Sequence, residues 1–383
     1  MTMKFFVLSH RSMYSSVVYD AIYNVENIFA KSCEGVILAP KIRTAARMNQ
    51  KIFQAFPICE NLNERLIKKT LGKYQEPDLF NDLMSQTGSD RKVLFILAIF
   101  GGQLDILSCI PQWRQKFDAV IAYVCDSWAF ETYSKNIYKV DHLFVALPEL
   151  VTPLHQKFGI PVSLLPFAAD VLGQGSGQQK RGIDVTSFGR MPMEYHEHLV
   201  TAFNHPGSSR LYYRFAARQE VMFPSAPYEE RLDREFINTF YHILRNTKIL
   251  MAFDTIVPNQ PRKFPESVIT FRWFDGIATG CVLVGKRPIT PLMNELFDWE
   301  DSSIEIPDSP QQSPEFIEEL LQDEQRIQRI RQANYFQSVC KHDWRFRIQA
   351  MLEATQLPPS ATLLEELQQL RELRVNLAGE KQY

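Results

Sequence analysis

The chain has 383 residues, 45% hydrophobic and 22% charged, with 42 Lys+Arg against 44 Asp+Glu and a formal net charge of −2. That length suits two domains or one large one, and the apolar share excludes wholesale disorder. The near-balance of charge gives no electrostatic case for a general nucleic-acid binder.

The N-terminal stretch MTMKFFVLSHRS lacks the long apolar run and small-residue cleavage site of a signal peptide. No run approaches the roughly 18 apolar residues of a membrane helix. Six cysteines, Cys33, Cys59, Cys109, Cys125, Cys281 and Cys340, form no Cys-x-x-Cys pair, which suits reduced, mostly buried thiols rather than a zinc ribbon. The expectation is a cytoplasmic protein without an integral membrane segment.

The predicted strands of the first half are continuous apolar runs, as in strands buried on both faces. They are residues 4–9, 35–39, 93–100, 118–124, 142–146 and 162–166. Segments of helical length, such as 15–31 and 63–84, lie between them. This alternation predicts a parallel sheet with helices on both sides. Residues 172–182 (LGQGSGQQKRG) hold four glycines and little to bury, the composition of a flexible connector.

The pattern then restarts with strands at 183–188, 248–253, 280–285 and 303–306, and a helix at 231–245. One large domain with an insert is compatible with it. Two similar α/β domains facing each other across a cleft fit the restart better. From Ser313 the chain reads as helical, with Pro314 and Glu315 suited to a first turn and Phe316, Ile317, Leu320, Leu321, Ile327 and Ile330 at helical spacing. After Pro358 and Pro359, Leu363, Leu367, Leu370 and Leu377 mark a last short amphipathic helix, for packing on its own chain or, as the lesser alternative, on a partner.

The most informative segment is TFRWFDGIATGCVLVGKRP, residues 270–288. It predicts a helix ended by Gly280 in the left-handed conformation, then a buried strand. Arg272 and Asp275 fall early in that helix. An arginine there suits a diphosphate, and a carboxylate suits the hydroxyls of a ribose. A helix carrying one solvated ion pair accounts for the same residues.

The segment also resembles the nucleotide-sugar site of GT-B glycosyltransferases, in particular the spore-maturation-type branch of the group 1-like enzymes. That branch carries R-x-x-E-x-x-A-x-G before an apolar strand, and here Arg272, Asp275, Ala278 and Gly280 occupy those places. Residues 185–190 (VTSFGR) resemble the first strand and loop of the nucleotide domain. Residues 159–170 (GIPVSLLPFAAD) resemble the end of the preceding domain, and Trp344-Arg345-Phe346-Arg347 the start of a crossover helix. The match spans about 140–350; residues before it fit by their alternating pattern alone.

The resemblance implies an α/β fold of two Rossmann-like domains facing a cleft (GT-B), with a C-terminal crossover helix. The N-terminal acceptor-side domain would be 1–171, the linker 172–182, the nucleotide-sugar domain 183–345, and the crossover and C-terminal helices 346–383. It implies a bacterial hexosyltransferase that needs no metal and no cofactor, its donor being a nucleotide sugar and its acceptor unidentified. Arg190, Arg262, Lys263, Arg272, Asp275 and Gly276 would contact the donor, while His10, after the first strand, and Asp126 would serve catalysis. A His–carboxylate pair could be completed by Asp126 or Asp105.

Four departures stand out. Asp275 replaces the usual Glu, Ser267 stands where many retaining members carry a second Glu, no lysine follows Arg190, and loop 9–16 lacks glycine. Retention is slightly favoured over inversion. A degenerate non-catalytic binding or assembly module, or a sugar-nucleotide epimerase of the same fold, is the alternative. Glu194, His196 and His198 would share a face only in an extended segment; as the start of a helix they hold no metal together.

Overall fold

The computed structural model describes residues 3–40, 91–215, 221–222, 233–254 and 267–380. The helix expected at 63–84 lies outside the described residues, as do Cys59, Arg262 and Lys263. The chain divides into two compact units. The first holds Met1–Pro166, Arg218–Ile237 and Met351–Leu363; the second holds Phe167–Ala217, Asn238–Ala350 and Leu364–Tyr383.

In the first unit, six parallel strands form one sheet: β1 (Met3–Leu8), β3 (Val36–Leu38), β4 (Arg91–Ala98), β5 (Ala119–Val124), β6 (His142–Val145) and β7 (Val162–Leu164). Their order is β3-β1-β4-β5-β6-β7. A short strand β2 (Tyr14–Ser15) pairs antiparallel with β10 (Val221–Met222). The apolar runs are central because both their faces are covered: residues 93–98 of β4 are all buried. Helix α1 (Val17–Ser32) lays Phe29 on Phe95, ring centroids 4.0 Å apart, with Phe5 at its edge. Helix α2 (Val151–Phe158) stops at Gly159, whose φ of +67° is the left-handed conformation that ends helices.

The second unit repeats the plan. Strands β8 (Ile183–Ser187), β9 (Tyr212–Arg214), β11 (Thr247–Phe253), β12 (Val282–Lys286) and β13 (Ile304–Glu305) form a parallel sheet in the order β13-β12-β11-β8-β9. Helices α3 (Met193–Phe203), α4 (Asp233–Arg245), α5 (Phe271–Ala278), α6 (Pro291–Leu296), α7 (Ser313–Gln322) and α8 (Glu324–Lys341) fall between or after these strands. Helices α9 (Trp344–Ala354) and α10 (Ala361–Glu380) close the described chain. Val185, Ile249, Met251, Val282 and Val284 of the sheet share a core with Ile317, Leu320, Leu321, Ile327 and Ile330 of α7 and α8, the apolar face read from the sequence.

Counted in chain order within each unit, both sheets run 2-1-3-4-5, the first adding a sixth strand at the far edge. The strand order therefore reverses direction between β1 and β4 in the first unit and between β8 and β11 in the second. Doubly wound sheets bind ligands beyond the carboxyl ends of strands at such a switch point. His10 follows β1 and Arg190 follows β8, so the candidate residues of both units fall at switch points.

The ten predicted strands are all present, with ends shifted by no more than two residues. Strands β2, β9 and β10 were not anticipated: two or three residues are too few to show a period. The glycine-rich connector is tied into the second unit by two arginines. Arg331 Nη1 donates to the Gln179 carbonyl (3.1 Å) and its Nη2 to that of Gln178, while Arg181 Nε also reaches Gln178 (3.2 Å).

Candidate functional site

In the second unit the site is built from the loop after β8 and the first turns of α5. Gly189 turns with φ +66°, and a Cβ there would collide with Arg272 Nη2. Only glycine lets the loop backbone meet this guanidinium. Arg272 Nη1 donates to the Arg190 carbonyl (2.7 Å), and its guanidinium carbon lies 5.3 Å from the Phe188 ring centroid. Phe188 is backed in turn by Phe240 of α4, edge-on at 4.7 Å.

Arg272 is 7% exposed, yet among the described residues no carboxylate lies within ion-pair distance of it and its Nε has no hydrogen-bond partner. Burial, helped by the charge of Arg190, brings its pKa down to about 10. It remains a cation at neutral pH. A buried cation without a counter-ion is costly, and an arriving anion would relieve that cost.

One turn along α5, Asp275 Oδ1 accepts from the Tyr241 hydroxyl at 3.0 Å, both residues being buried. Burial raises the Asp275 pKa to about 7; the Tyr241 hydrogen bond opposes this, and the charge of Asp170 adds to it. Asp170 also caps the short helix Val171–Gln174 by accepting from Gly173 N and is ion-paired with Arg345. Gly276 faces the sheet, where a Cβ would come within 2.5 Å of Leu283 and 2.7 Å of Leu250. Its place is that of a close helix–sheet contact. Ser267 Oγ donates to Asp254 Oδ2 (2.5 Å), so a buried hydroxyl–carboxylate pair occupies the place of the family's second Glu.

The end of α5 is fixed as the sequence predicted. Gly280 has φ +67°; its N–H reaches Ile277 O (3.0 Å) and that of Cys281 reaches Gly276 O (2.9 Å), the paired bonds of a Schellman motif. Two buried arginines satisfy carbonyls left open at helix ends. Arg181 donates to Leu244, Thr247 and Thr279, and Arg331 to Gly280.

In the first unit the switch point is closed by side chains. His10 is 2% exposed, and its Nε2–H donates to the Gln103 carbonyl at 3.1 Å. Gln103 in turn accepts from Ile99 N (2.8 Å) and hydrogen-bonds the Tyr19 hydroxyl. Burial lowers the His10 pKa to about 4, against the opposing effect of the Gln103 carbonyl, so the ring is neutral at physiological pH. The glycine-free loop is pinned instead of turning on glycine. Arg11 pairs with buried Glu26 (3.1 Å) and reaches Ser9 Oγ (3.0 Å), while Tyr23 OH donates to the His10 carbonyl (2.9 Å).

The expected His–carboxylate pair does not form. Asp105 accepts from Ser134 (2.5 Å), and Asp126, at the end of β5, binds Ile99 O through its backbone N–H (2.7 Å). The partner of His10 is a backbone carbonyl from the loop after β4. Residues 193–203 are helical, so Glu194, His196 and His198 do not share one face, and His196 Nδ1 lies 2.9 Å from the Tyr212 hydroxyl. Among the described residues no three His, Cys, Asp or Glu side chains gather as metal ligands, and no helix is long and apolar enough to cross a membrane.

Sequence reading missed Tyr241, Phe188, Gln103 and the capping pair Arg181 and Arg331. Phe188 closes the strand read at 183–188 and Arg181 lies in the connector, but neither was given a role; Tyr241 and Gln103 carry no local signal.

Two doubly wound parallel units are the architecture that the GT-B resemblance implied. Residues 183–353 match the family model described as glycosyl transferase-like. Among solved structures, the chain is similar to an alpha-glucosyltransferase in complex with UDP-glucose and DNA containing an abasic site, at 11% identity and TM-score 0.51, covering 92% of this chain and 99% of that one. It is also similar to HepE from Anabaena in complex with UDP and glucose, at 8% identity and TM-score 0.50, with the same coverage. No curated protein sequence matches. The likeness to these structures shows the two-domain fold that the resemblance implied, and the family match falls on residues 183–353.

Proposed function

We propose that the second unit binds a nucleoside-diphosphate sugar at the carboxyl ends of β8 and β11, and that the protein transfers the sugar to an acceptor. The observation that carries this reading is Arg272, a buried guanidinium at the switch point with no carboxylate counter-ion among the described residues. A diphosphate supplies the missing charge, and Arg190 adds a second, exposed cation beside it. As the glycosidic bond breaks, charge grows on the leaving diphosphate, and a preorganised guanidinium stabilises it without reorganisation. Arg262 and Lys263 are assigned to the same phosphates by their charge and their place in the sequence shortly before α5. The solved relatives bound to UDP-glucose, or to UDP and glucose, support a UDP-sugar as the first donor to try.

Asp275 accepts from the ribose hydroxyls in this reading. The first unit holds the acceptor, with Asp126 on that side. Transfer needs no metal, so a chelator leaves the rate unchanged. If transfer inverts configuration, His10 is the base; its Nε2–H is committed to Gln103, which leaves the Nδ1 lone pair. The acid limb of the rate would then fall near pH 4. Retention is the outcome the family resemblance favours.

The test is titration of the protein with UDP-glucose and other sugar nucleotides, followed by NMR of the products. Arg272→Met should weaken donor binding on the order of 100-fold while keeping the fold, since it removes a buried, unpaired charge. Equal affinity in parent and variant would sink the assignment. Nucleotide release with a defined product anomer supports transfer, epimer formation an epimerase, and binding without turnover a non-catalytic module.

A further inference from the structure

We propose that Tyr241 is a positioning residue for donor binding, its phenol holding the Asp275 carboxylate in the ionised state that accepts from the ribose diol. The inference rests on the donor reading above. Its geometric basis is a buried pair: the Tyr241 hydroxyl donates to Asp275 Oδ1 at 3.0 Å from the neighbouring helix α4, and neither side chain is more than 6% exposed. A hydroxyl has one proton to give, and here it goes to a carboxylate oxygen, which favours the charged over the neutral acid.

The other charged groups around the pair set what Tyr241 must oppose. On α5 itself, Arg272 lies one turn earlier, its guanidinium on the Arg190 carbonyl. From the segment before β8, the charge of Asp170 disfavours ionisation of Asp275. Arg345 is committed to Asp170, Asp343 and Glu366, so three carboxylates already share that one cation. Arg245, on α4, acts on Tyr241. Among the described residues no cation lies within ion-pair distance of Asp275, so the phenol is the group that favours its charge.

An ionised carboxylate can accept from both ribose hydroxyls on its two oxygens; protonated, one of those oxygens becomes a donor. With Asp275 titrating at about 7, donor affinity should rise with pH through that value. Removing the phenol proton leaves burial and Asp170 unopposed and moves the titration upward, on the order of one pH unit. At high pH both proteins are ionised and their affinities converge.

The experiment uses the full chain and UDP-glucose as probe. Dissociation constants are measured from pH 5.5 to 9 for the parent, Tyr241→Phe and Asp275→Asn, and the Asp275 carboxyl carbon is titrated by NMR in the ligand-free proteins. The parent should bind more tightly as pH rises through about 7. Tyr241→Phe should bind about fivefold more weakly at pH 7 but nearly equally at pH 9, and Asp275→Asn should bind weakly with a flat profile. An unmoved midpoint in Tyr241→Phe, by affinity or by the carboxyl resonance, overturns the role of Tyr241. No binding of any sugar nucleotide by the parent at any pH overturns the donor reading, and this proposal with it.

Discussion

At the carboxyl ends of β1 and β4 the first unit buries a neutral imidazole hydrogen-bonded to a backbone carbonyl. At those of β8 and β11 the second unit buries a guanidinium and, one turn away, a carboxyl group titrating near neutrality. The strand order is the same in both. What differs is how the loop after the first strand is made. In the first unit Arg11, Glu26, Ser9 and Tyr23 pin a glycine-free loop by side chains. In the second, Gly189 lets the backbone close on Arg272. One switch point holds its side chains on one another and on the backbone; at the other, among the described residues, the guanidinium has no carboxylate counter-ion. Topology alone sets where a ligand can sit, and the loop chemistry decides which ligand.

The two sites should answer to pH in opposite directions. The largest effect belongs to Asp275, whose pKa rises from 3.8 to about 7 on folding. Its contribution is fully present below pH 4 and is lost as pH rises through 7. At about 1.4 kcal/mol per unit the cost reaches up to about 4 kcal/mol. Asp275→Asn should therefore raise resistance to urea at pH 8 and not at pH 4. Equal gains at both would remove the carboxyl from the account.

His10 works the other way. Its pKa falls from 6.5 to about 4, so the folded chain refuses a proton that the unfolded chain accepts. Stability is intact above pH 6.5 and declines as pH falls towards 4, by about 3 kcal/mol. In His10→Gln, which keeps a donor for the Gln103 carbonyl, urea melts should show that much less loss over the same range. His342, buried in the second unit with its pKa lowered to about 3, leaves a background loss that the variant does not remove.

The smallest effect contrasts two helix ends of identical backbone. Gly159 and Gly280 both have φ +67°, but a Cβ at Gly159 meets nothing within 4 Å, whereas at Gly280 it would lie 2.8 Å from Ser176 O. Gly159→Ala should cost about 1 kcal/mol, the price of the left-handed conformation. Gly280→Ala should cost about 2–3 kcal/mol because Ser176, in the connector, must also move. Equal costs would mean that the connector yields freely.

Much of this was legible locally. Continuous apolar runs fixed ten strands, because a strand buried on both faces has no polar side to show. The spacing of Arg272 and Asp275 placed them one turn apart on α5, and Gly280 marked its end. Gly276 was read as a donor contact; what the structure shows at it is close packing against Leu250 and Leu283 of the sheet. The His–carboxylate pair was misread because aspartates at strand ends are common, and sequence does not reveal that Asp105 is committed to Ser134.

The sequence by itself determined the α/β alternation, the restart after the connector, and the short-range pattern that places a cation and a carboxylate on one helix. Only the tertiary structure decided the partners. Gln103 meets His10 across 93 positions, Tyr241 meets Asp275 across 34, and Arg345 meets Asp170 across 175. In a doubly wound fold, residues brought together at a switch point come from different strand–helix units, joined by the order of the sheet. Periodicity reports which face of an element is buried; what that face is buried against is set by neighbours far along the chain, and with them the charge each buried group can keep.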